Sequence, residues 1–303
     1  MTNTGPQRVV RRFYAAALAS LAVIAFAGCP SLATVNEFAT AGQQTTAAFP
    51  SIGKDFPASC LRAESYDQEL QFDTAHGTYK IADIPPADLA ARDTSAACAD
   101  IAHNDSAVLA ANDVLGAYLK ALARLSDNKL VNYDSSLDTL AKRIETAAKL
   151  TDSVKAASGL ASWLGDALTR GYRQNKLKSV IVQNDSAVQL VTAGLRRYAA
   201  DYDTLLAIET GRLDRLYRGA LSLDHGRNAP AAVLLLTDYR AKLDAIATKR
   251  EAADAYRSAL TKIAAGHKQL SRATKLTSKE VESTLASYAN GLAPLIQKMR
   301  KTF

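Results

Sequence analysis

The stretch VQLVTAGLRRYAADYDTLLAIETGRLDRL, residues 188–216, decides the fold class of this chain. Its large apolar residues recur at spacings of three and four, which places them on one face of an α-helix. We therefore expect a long helix here whose apolar face packs against a partner helix. The residues on this face are Val188, Val191, Leu195, Tyr198, Tyr202, Leu205, Leu213 and Leu216.

The same spacing continues in the next part of the chain. Arg250 and Arg257 interrupt the pattern there, and a dry coiled-coil seam would not contain arginine at such positions. The pattern therefore favours a looser bundle with partly coiled-coil-like helices. The residues that follow the spacing are Tyr239, Leu243, Ile246, Ala253, Leu260, Ala264 and His267.

Proline is absent over unusually long distances. Between Pro86 and Pro230 lie 143 residues without it, and between Pro230 and Pro294 another 63. Since proline breaks helix interiors, these gaps favour long helices, about 60 Å each for forty residues. We predict an all-α fold, an elongated antiparallel helical bundle over residues 87–303. The expected helices are 33–48, 87–126, 135–172, 176–222, 229–273 and 278–300.

Residues 29–86 have a different composition. Six of the eight prolines lie at or before Pro86, and all phenylalanines but one lie at or before Phe72. We expect a less regular N-terminal subregion, in which Pro50 and Pro57 break or kink the first helix. The alternation from Leu70 to about residue 81 also allows a small β-hairpin.

The first 28 residues have the pattern of a secretory signal peptide. Arg8, Arg11 and Arg12 precede an uncharged run from Phe13 to Gly28. Its sixteen residues are fewer than the roughly 20 that span a bilayer as a helix, which favours a cleaved signal over a permanent anchor.

The end of this signal, Phe26-Ala27-Gly28-Cys29, resembles the lipobox of bacterial lipoproteins, although the family usually has an aliphatic residue where Phe26 stands. The resemblance implies that diacylglycerol is attached to the Cys29 thiol and that the chain is cut just before it. In the alternative, the signal is an ordinary one and Cys29 is incidental. Pro30 is not the aspartate that retains such lipoproteins at the inner membrane, so the resemblance implies an outer membrane, facing the periplasm.

Two further cysteines, Cys60 and Cys98, would then be in an oxidising compartment. A disulfide between them would close a 39-residue loop and stabilise the fold by about 4 kcal/mol. Two separate buried thiols are the other possibility. Neither cysteine belongs to a Cys-x-x-Cys pattern.

The two halves of the chain after the signal have opposite net charge. Residues 29–150 have net charge −6 and residues 151–303 have net charge +10. Either the two halves neutralise each other within the fold, or the basic half binds an anionic partner. The densest candidate docking patch consists of Arg196, Arg197, Arg212, Arg215 and Arg218.

Signs of catalysis are few. The chain lacks a nucleophile elbow, a phosphate-binding glycine-rich loop and the common zinc and haem motifs. Asp73 and His76, and likewise Asp100 and His103, are three residues apart, which is a minor case for a metal-dependent enzyme. His225 lies in an expected turn, and we interpret His267 as a packing histidine. We therefore expect no enzyme, no cofactor and no metal site.

These observations together predict a lipid-anchored envelope protein that binds or scaffolds another envelope protein through long helical surfaces. Its contact with the membrane is the N-terminal lipid. The alternative is that its basic half binds anionic envelope lipid or polymer, such as lipopolysaccharide or peptidoglycan. Export makes a nucleic-acid partner improbable.

Overall fold

The computed structural model describes residues 32–76, 96–130, 152–224 and 229–303. Within these ranges every regular element is helical and no strand occurs, which confirms the all-α helical bundle. A single 3₁₀ turn, Gln174–Lys176, precedes the longest helix. The α-helices are α1 (Ala33–His76), α2 (Ala96–Ser126), α3 (Asp152–Thr169), α4 (Leu177–Asp224), α5 (Ala229–Arg272) and α6 (Lys279–Thr302).

Most predicted helix bounds agree with the structure. The helices expected at 176–222, 229–273 and 278–300 are α4, α5 and α6, each correct to within two residues at either end. The helices expected at 87–126 and 135–172 are represented by α2 and α3. Residues 87–95 and 135–151 of those predictions lie outside the described residues, as does the turn with His225.

The predicted end of the first helix near residue 48 is wrong, because α1 continues through Pro50 and Pro57 to His76. A proline inside a helix costs about 3 kcal/mol relative to alanine. Phe49, Ile52 and Phe56 surround these prolines in sequence and are buried in the core. Burying each of these side chains contributes roughly 1.5–3 kcal/mol, which offsets the cost of the prolines.

The expected hairpin between Leu70 and residue 81 is also not formed as predicted. Its first arm belongs to the helical backbone of α1, and its second arm lies outside the described residues. Apolar residues two apart are compatible with either a strand or the end of a buried helix, so the alternation did not distinguish the two.

Polar caps and left-handed residues end the helices where turn residues were expected. Asn128 and Gly171 follow α2 and α3 with φ angles of 56° and 59°. Ser278 caps α6, since its hydroxyl accepts a hydrogen bond from the amide of Val281 at 3.4 Å.

Helices α4 and α5 are antiparallel neighbours. The side chain of Gln189 donates to the carbonyl oxygen of Ala264 at 2.9 Å, and Tyr239 donates to the carboxylate of Asp214 at 2.5 Å. The partner of a later residue in α4 is thus an earlier residue in α5. Helices α1 and α2 are antiparallel in the same way, since Asn36 donates to the Ala123 carbonyl at 2.7 Å while Asn112 donates to the Thr46 carbonyl at 3.0 Å.

Helices α1 and α4, by contrast, are parallel. Tyr202 donates to Asp55 over a sequence separation of 147, and Arg215 donates to Asp67 over a separation of 148. One end of the bundle therefore contains the start of α1, the start of α4 and the end of α5. We call it the proximal end, and the opposite end, where α4 ends and α5 begins, the distal end.

The core lies between α1, α2, α4 and α5 and contains stacked aromatic rings. Phe49 stacks on Tyr256 with ring centroids 4.8 Å apart, and Phe56 meets Tyr198 edge-on at 4.8 Å. Gly266 lets α5 approach α1 closely, because a Cβ atom there would lie 2.4 Å from the ring of Phe38.

The predicted packing face of α4 is largely confirmed. Five of its eight residues are buried, and Tyr198, Leu205 and Leu216 are half-buried against the core. The predicted face of α5 did not include Tyr256, which is the largest fully buried side chain of that helix. The adjacent Arg257 made this part of the sequence look exposed.

Candidate functional site: the basic face of α4 and α5

The five arginines of the predicted docking patch fall into two groups along α4. Arg196 and Arg197 are exposed near the middle of the helix. Arg212, Arg215 and Arg218 begin sixteen residues later, about 24 Å further toward the distal end. The patch is therefore two separate basic surfaces, each with its own surroundings.

The distal group is partly neutralised, because its three arginines pair with two carboxylates. Arg212 and Arg215 both pair with Asp67 of α1, each at 3.1 Å. Arg218 pairs with Asp214, one turn earlier on α4, at 2.7 Å. Since Asp67 belongs to the acidic half of the chain, these contacts are internal neutralisation of the two halves.

On the proximal side of this distal group, α1, α4 and α5 share a cluster of charged side chains. The Arg62 guanidinium is at its centre and donates to the Glu209 carboxylate at 2.6 and 3.0 Å. It also donates to both oxygens of Asp55, at 3.0 and 3.1 Å. We call this the buried charge cluster. Its members are Asp55, Ser59, Arg62, Tyr202, Glu209 and Lys249.

The remaining members complete the hydrogen bonding of the two carboxylates. Ser59 donates to Glu209 at 2.5 Å, and the side chain of Glu209 is only 1% exposed. Tyr202 and Lys249 donate to Asp55 at 2.5 and 2.9 Å. The cluster contains two acids and two bases, so it is electrically neutral and holds three helices together.

The pKa values within the cluster follow from these contacts. Burial opposes ionisation of Asp55, but hydrogen bonds from Arg62, Tyr202 and Lys249 outweigh it and lower the pKa of this carboxyl. Burial likewise opposes the charge on Arg62, and its bonds to Glu209 and Asp55 raise the pKa of the guanidinium. Both groups are therefore ionised at neutral pH.

Sequence reasoning missed this cluster, although a signal for part of it was present. Asp55, Ser59 and Arg62 are spaced by four and three residues, so they lie on one face of α1. The three residues share a helical face only because α1 continues past Pro50. Glu209 interrupts the apolar pattern of α4 between Leu205 and Leu213, which was the second signal.

The middle pair of arginines lies beside an open groove between α4 and α5. The groove has a volume of about 410 Å³ and includes Arg196 and Arg197 from α4 and Arg257 from α5. Arg196 donates to the hydroxyl of Thr261 at 3.2 Å, and Arg257 pairs with Asp254 at 3.0 Å. Among the described residues, no acid of the N-terminal half pairs with these three arginines.

The disulfide expected between Cys60 and Cys98 is confirmed. It joins α1 to α2, with the two Cα atoms 5.6 Å apart. Cys60 directly follows Ser59, so the covalent link lies next to the buried charge cluster. A carboxylate oxygen of Glu64 lies within 4.8 Å of both sulfurs, the one such grouping in the described part of the chain, but sulfurs joined in a disulfide are not thiolates and do not bind a metal as thiolate ligands.

The two aspartate–histidine pairs do not come together. Cys60 and Cys98 fix the register of the antiparallel helices α1 and α2. His76 lies sixteen residues beyond Cys60, and His103 lies five residues beyond Cys98 in the opposite direction. Their backbone positions are therefore about 30 Å apart along the bundle, which excludes a shared metal. Their side chains lie outside the described residues.

His267 packs in the core as expected, and its two ring nitrogens have partners. Nε2 lies 2.8 Å from the Tyr118 hydroxyl, and Nδ1 lies 2.8 Å from the carboxylate of Asp185. The contact with His267 lowers the pKa of Asp185. Burial raises the pKa of the Tyr118 phenol well above its usual value.

Neither the family models nor the curated proteins and solved structures contain a match to this chain. In the ranges that the structure describes, no helix is both long enough and apolar enough to cross a membrane. Arguments about function therefore rest on the chain's own residues.

Proposed function

We propose that the protein is a cell-envelope lipoprotein, anchored through Cys29 to the periplasmic face of an outer membrane, that binds another envelope protein through its helical surface. The lipobox-like sequence supports the anchor. Helix α1 begins at Ala33, four residues after Cys29, so the lipid would be attached at the proximal end. Several acyl chains, each contributing about 0.8 kcal/mol per buried methylene, hold a protein to a membrane almost permanently.

One observation supports binding at the far end of the bundle. None of the described side chains from Arg218 to Ala245, around the distal turn, is buried. Val233 and Leu234, in the first turns of α5, are 62% and 71% exposed. Single exposed apolar residues are ordinary, but two adjacent ones within an apolar run favour a protein contact. We call Val233 and Leu234 the distal apolar pair.

The location of this pair fits a spacer between membrane and partner. Helix α1 has 44 residues and runs from the proximal toward the distal end, a distance of about 66 Å. A partner bound at the distal apolar pair would therefore contact the bundle at the end opposite the proposed lipid.

The anchor is tested by intact mass spectrometry of protein extracted from membranes. We expect a chain that begins at Cys29 and is heavier by its acyl groups. An unmodified Cys29, or a chain that still contains residues 1–28, would contradict the anchor.

Docking is tested with a photo-crosslinking amino acid at position 234 in cells, and with the same amino acid at position 182 as control. Val182 is 50% exposed on α4 near the proximal end, so it is an exposed apolar residue like Leu234 but lies toward the other end of the bundle. We expect a discrete crosslink from position 234 that survives high salt and that weakens in Cys29→Ser. Equal crosslinks from both positions, or none from 234, would contradict distal docking.

A second function, binding of anionic envelope lipid or polymer, is favoured by the groove between α4 and α5. Arg196 and Arg197 are exposed there, while Arg212 and Arg215 are occupied by Asp67. Substituting Arg196 and Arg197 by glutamine should therefore weaken binding to lipopolysaccharide or peptidoglycan, and substituting Arg212 and Arg215 should weaken it less. Binding of this kind should also collapse with added salt, whereas apolar docking resists it.

A further inference from the structure

We infer that the groove between α4 and α5 binds a soluble phosphorylated sugar. This inference rests on the anion binding proposed above for this groove, but it assigns a soluble ligand where the second function has an envelope lipid or polymer. The three arginines that face the groove supply the anion-binding groups, and the polar residues between them supply partners for hydroxyl groups.

The charge of the groove favours phosphate over carboxylate. The planar guanidinium of arginine donates to phosphate and carboxylate oxygens equally well. The preferred ligand therefore depends on the number of positive charges in the groove. Of the three arginines, only Arg257 pairs with an acid of the groove. Arg196 and Arg197 thus leave two positive charges, which suit the nearly dianionic phosphate monoester better than a single carboxylate.

The remaining polar groups favour a sugar. Asp254 is 69% exposed at the edge of the groove, and its carboxylate would repel a purely anionic ligand. The same carboxylate accepts hydrogen bonds from sugar hydroxyls. Ser258 and Thr261 add hydroxyl groups along the α5 side. A ligand with one strongly anionic group and several hydroxyls satisfies both the arginines and Asp254.

The scarcity of apolar side chains in the groove argues against a nucleotide. Two alanines, Ala193 and Ala200, are the only apolar side chains that line the groove, and no aromatic residue is among the lining residues. A nucleotide base would need an aromatic or broad apolar surface on which to stack.

The size of the groove suits a small molecule. Its volume of about 410 Å³ lies within the usual range of small-molecule sites, roughly 300–1,000 Å³.

The position of the groove favours a soluble ligand over a lipid headgroup. Arg196 lies nineteen residues from the start of α4, which is about 29 Å from the proximal end. With the lipid attached at that end, as proposed above, this distance along α4 favours a ligand that diffuses to the groove.

The test is calorimetric titration of the purified full-length protein in detergent with glucose 1-phosphate at low salt. Glucose, glucuronate and inorganic phosphate are titrated for comparison. We expect saturable binding of glucose 1-phosphate, weaker binding of phosphate and glucuronate, and none of glucose. Glucuronate binding as tightly as glucose 1-phosphate would overturn the preference for phosphate.

Two double variants separate the groove from general electrostatic attraction. Arg196→Gln/Arg257→Gln removes two charges in the groove, and Arg240→Gln/Arg300→Gln removes two exposed charges elsewhere. We expect the groove variant to weaken glucose 1-phosphate binding about tenfold and the control variant less than about twofold. Equal losses in both variants, or no loss in the groove variant, would overturn the site. Circular dichroism of both variants verifies that they fold.

Two further measurements identify which claim fails. If glucose 1-phosphate does not bind but Arg196→Gln still weakens polymer binding, the inference fails and the second function stands. If neither ligand depends on the groove, both fail. A third outcome is that the groove variant weakens binding to vesicles of a phosphorylated glycolipid and leaves glucose 1-phosphate binding unchanged. In that case the ligand is a lipid headgroup, and the inference of a soluble sugar phosphate is wrong.

Discussion

The buried charge cluster and the arginine groove both include residues of α4 and α5, yet their positive charges have opposite surroundings. In the cluster, Arg62 and Lys249 are paired with carboxylates from other helices, and the Glu209 side chain is almost completely buried. In the groove, Arg196 and Arg197 face solvent, and Arg196 has a hydroxyl as its partner. Positive charge is thus paired with carboxylates at one level of the bundle and left exposed at another.

This difference shows what the opposite charges of the two halves accomplish. Acids of α1 meet bases of α4 and α5 at Asp55 and Asp67, so part of the charge contributes to folding. Charge that stays exposed contributes little to stability, because water already solvates it. The cluster should therefore determine stability, and the groove should determine binding.

The largest expected effect concerns the disulfide beside the cluster. In Cys60→Ala/Cys98→Ala we expect the free energy of unfolding to fall by about 4 kcal/mol, since the unfolded chain regains the freedom of the open loop. Urea unfolding followed by circular dichroism measures it. Reductant should lower the stability of the natural protein to the same level and leave the double variant unchanged. A response of the double variant to reductant would contradict this explanation.

The second effect concerns Glu209. In Glu209→Ala, Arg62 and Ser59 lose their partner inside the bundle, and we expect a loss of about 3 kcal/mol in urea unfolding. The control is Glu251→Ala, which removes an exposed carboxylate that pairs with Lys298 at 3.1 Å and should cost less than about 0.5 kcal/mol. Similar losses in the two variants would show that burial of the cluster does not matter for stability.

The third effect is a dependence on acid. The pKa of Asp55 is lower in the folded protein than the value of about 3.9 in an unfolded chain. The stabilisation by its charge is therefore complete above that value and is lost as the pH falls through the folded pKa. In Asp55→Asn, the acid-induced decrease in the free energy of unfolding should be smaller by roughly 1 kcal/mol.

Urea unfolding at a series of pH values from 6 to about 2 measures this dependence. The comparison variant is Arg197→Gln in the groove, which removes an exposed charge and leaves the cluster unchanged. Its acid dependence should match that of the natural protein. An equally steep acid dependence in Asp55→Asn would be evidence against the role of Asp55.

The smallest effect is expected at the groove. Arg197→Gln should change the free energy of unfolding by less than about 0.5 kcal/mol, because the side chain is exposed. A loss above about 1 kcal/mol in urea unfolding would show that Arg197 has a structural partner, and the contrast between cluster and groove would disappear.

Periodicity in the sequence predicted α4 and α5 well, because their apolar residues repeat every three or four positions. It failed at α1 for a physical reason. Pro50 and Pro57 carry a local penalty that can be read from sequence, whereas the burial of Phe49, Ile52 and Phe56 that offsets it depends on three other helices.

The candidate site was predicted only in part. The arginines of the patch were visible as a dense run of charge, but their division into a paired and an exposed group depends on Asp67, 145 residues before Arg212. Such pairing follows from the register between α1 and α4, which no local pattern in the sequence specifies. For the same reason, the contribution of Arg257 to the groove became visible only in the fold.

The parallel arrangement of α1 and α4 has a mechanical consequence. The contacts between the two helices repeat at a nearly constant offset, with separations of 147, 150 and 148 residues at Asp55, Ser59 and Asp67. A force pulling the start of α1 away from the end of α4 would act along both helices and strain all these contacts together. The bundle would thus resist stretching in shear.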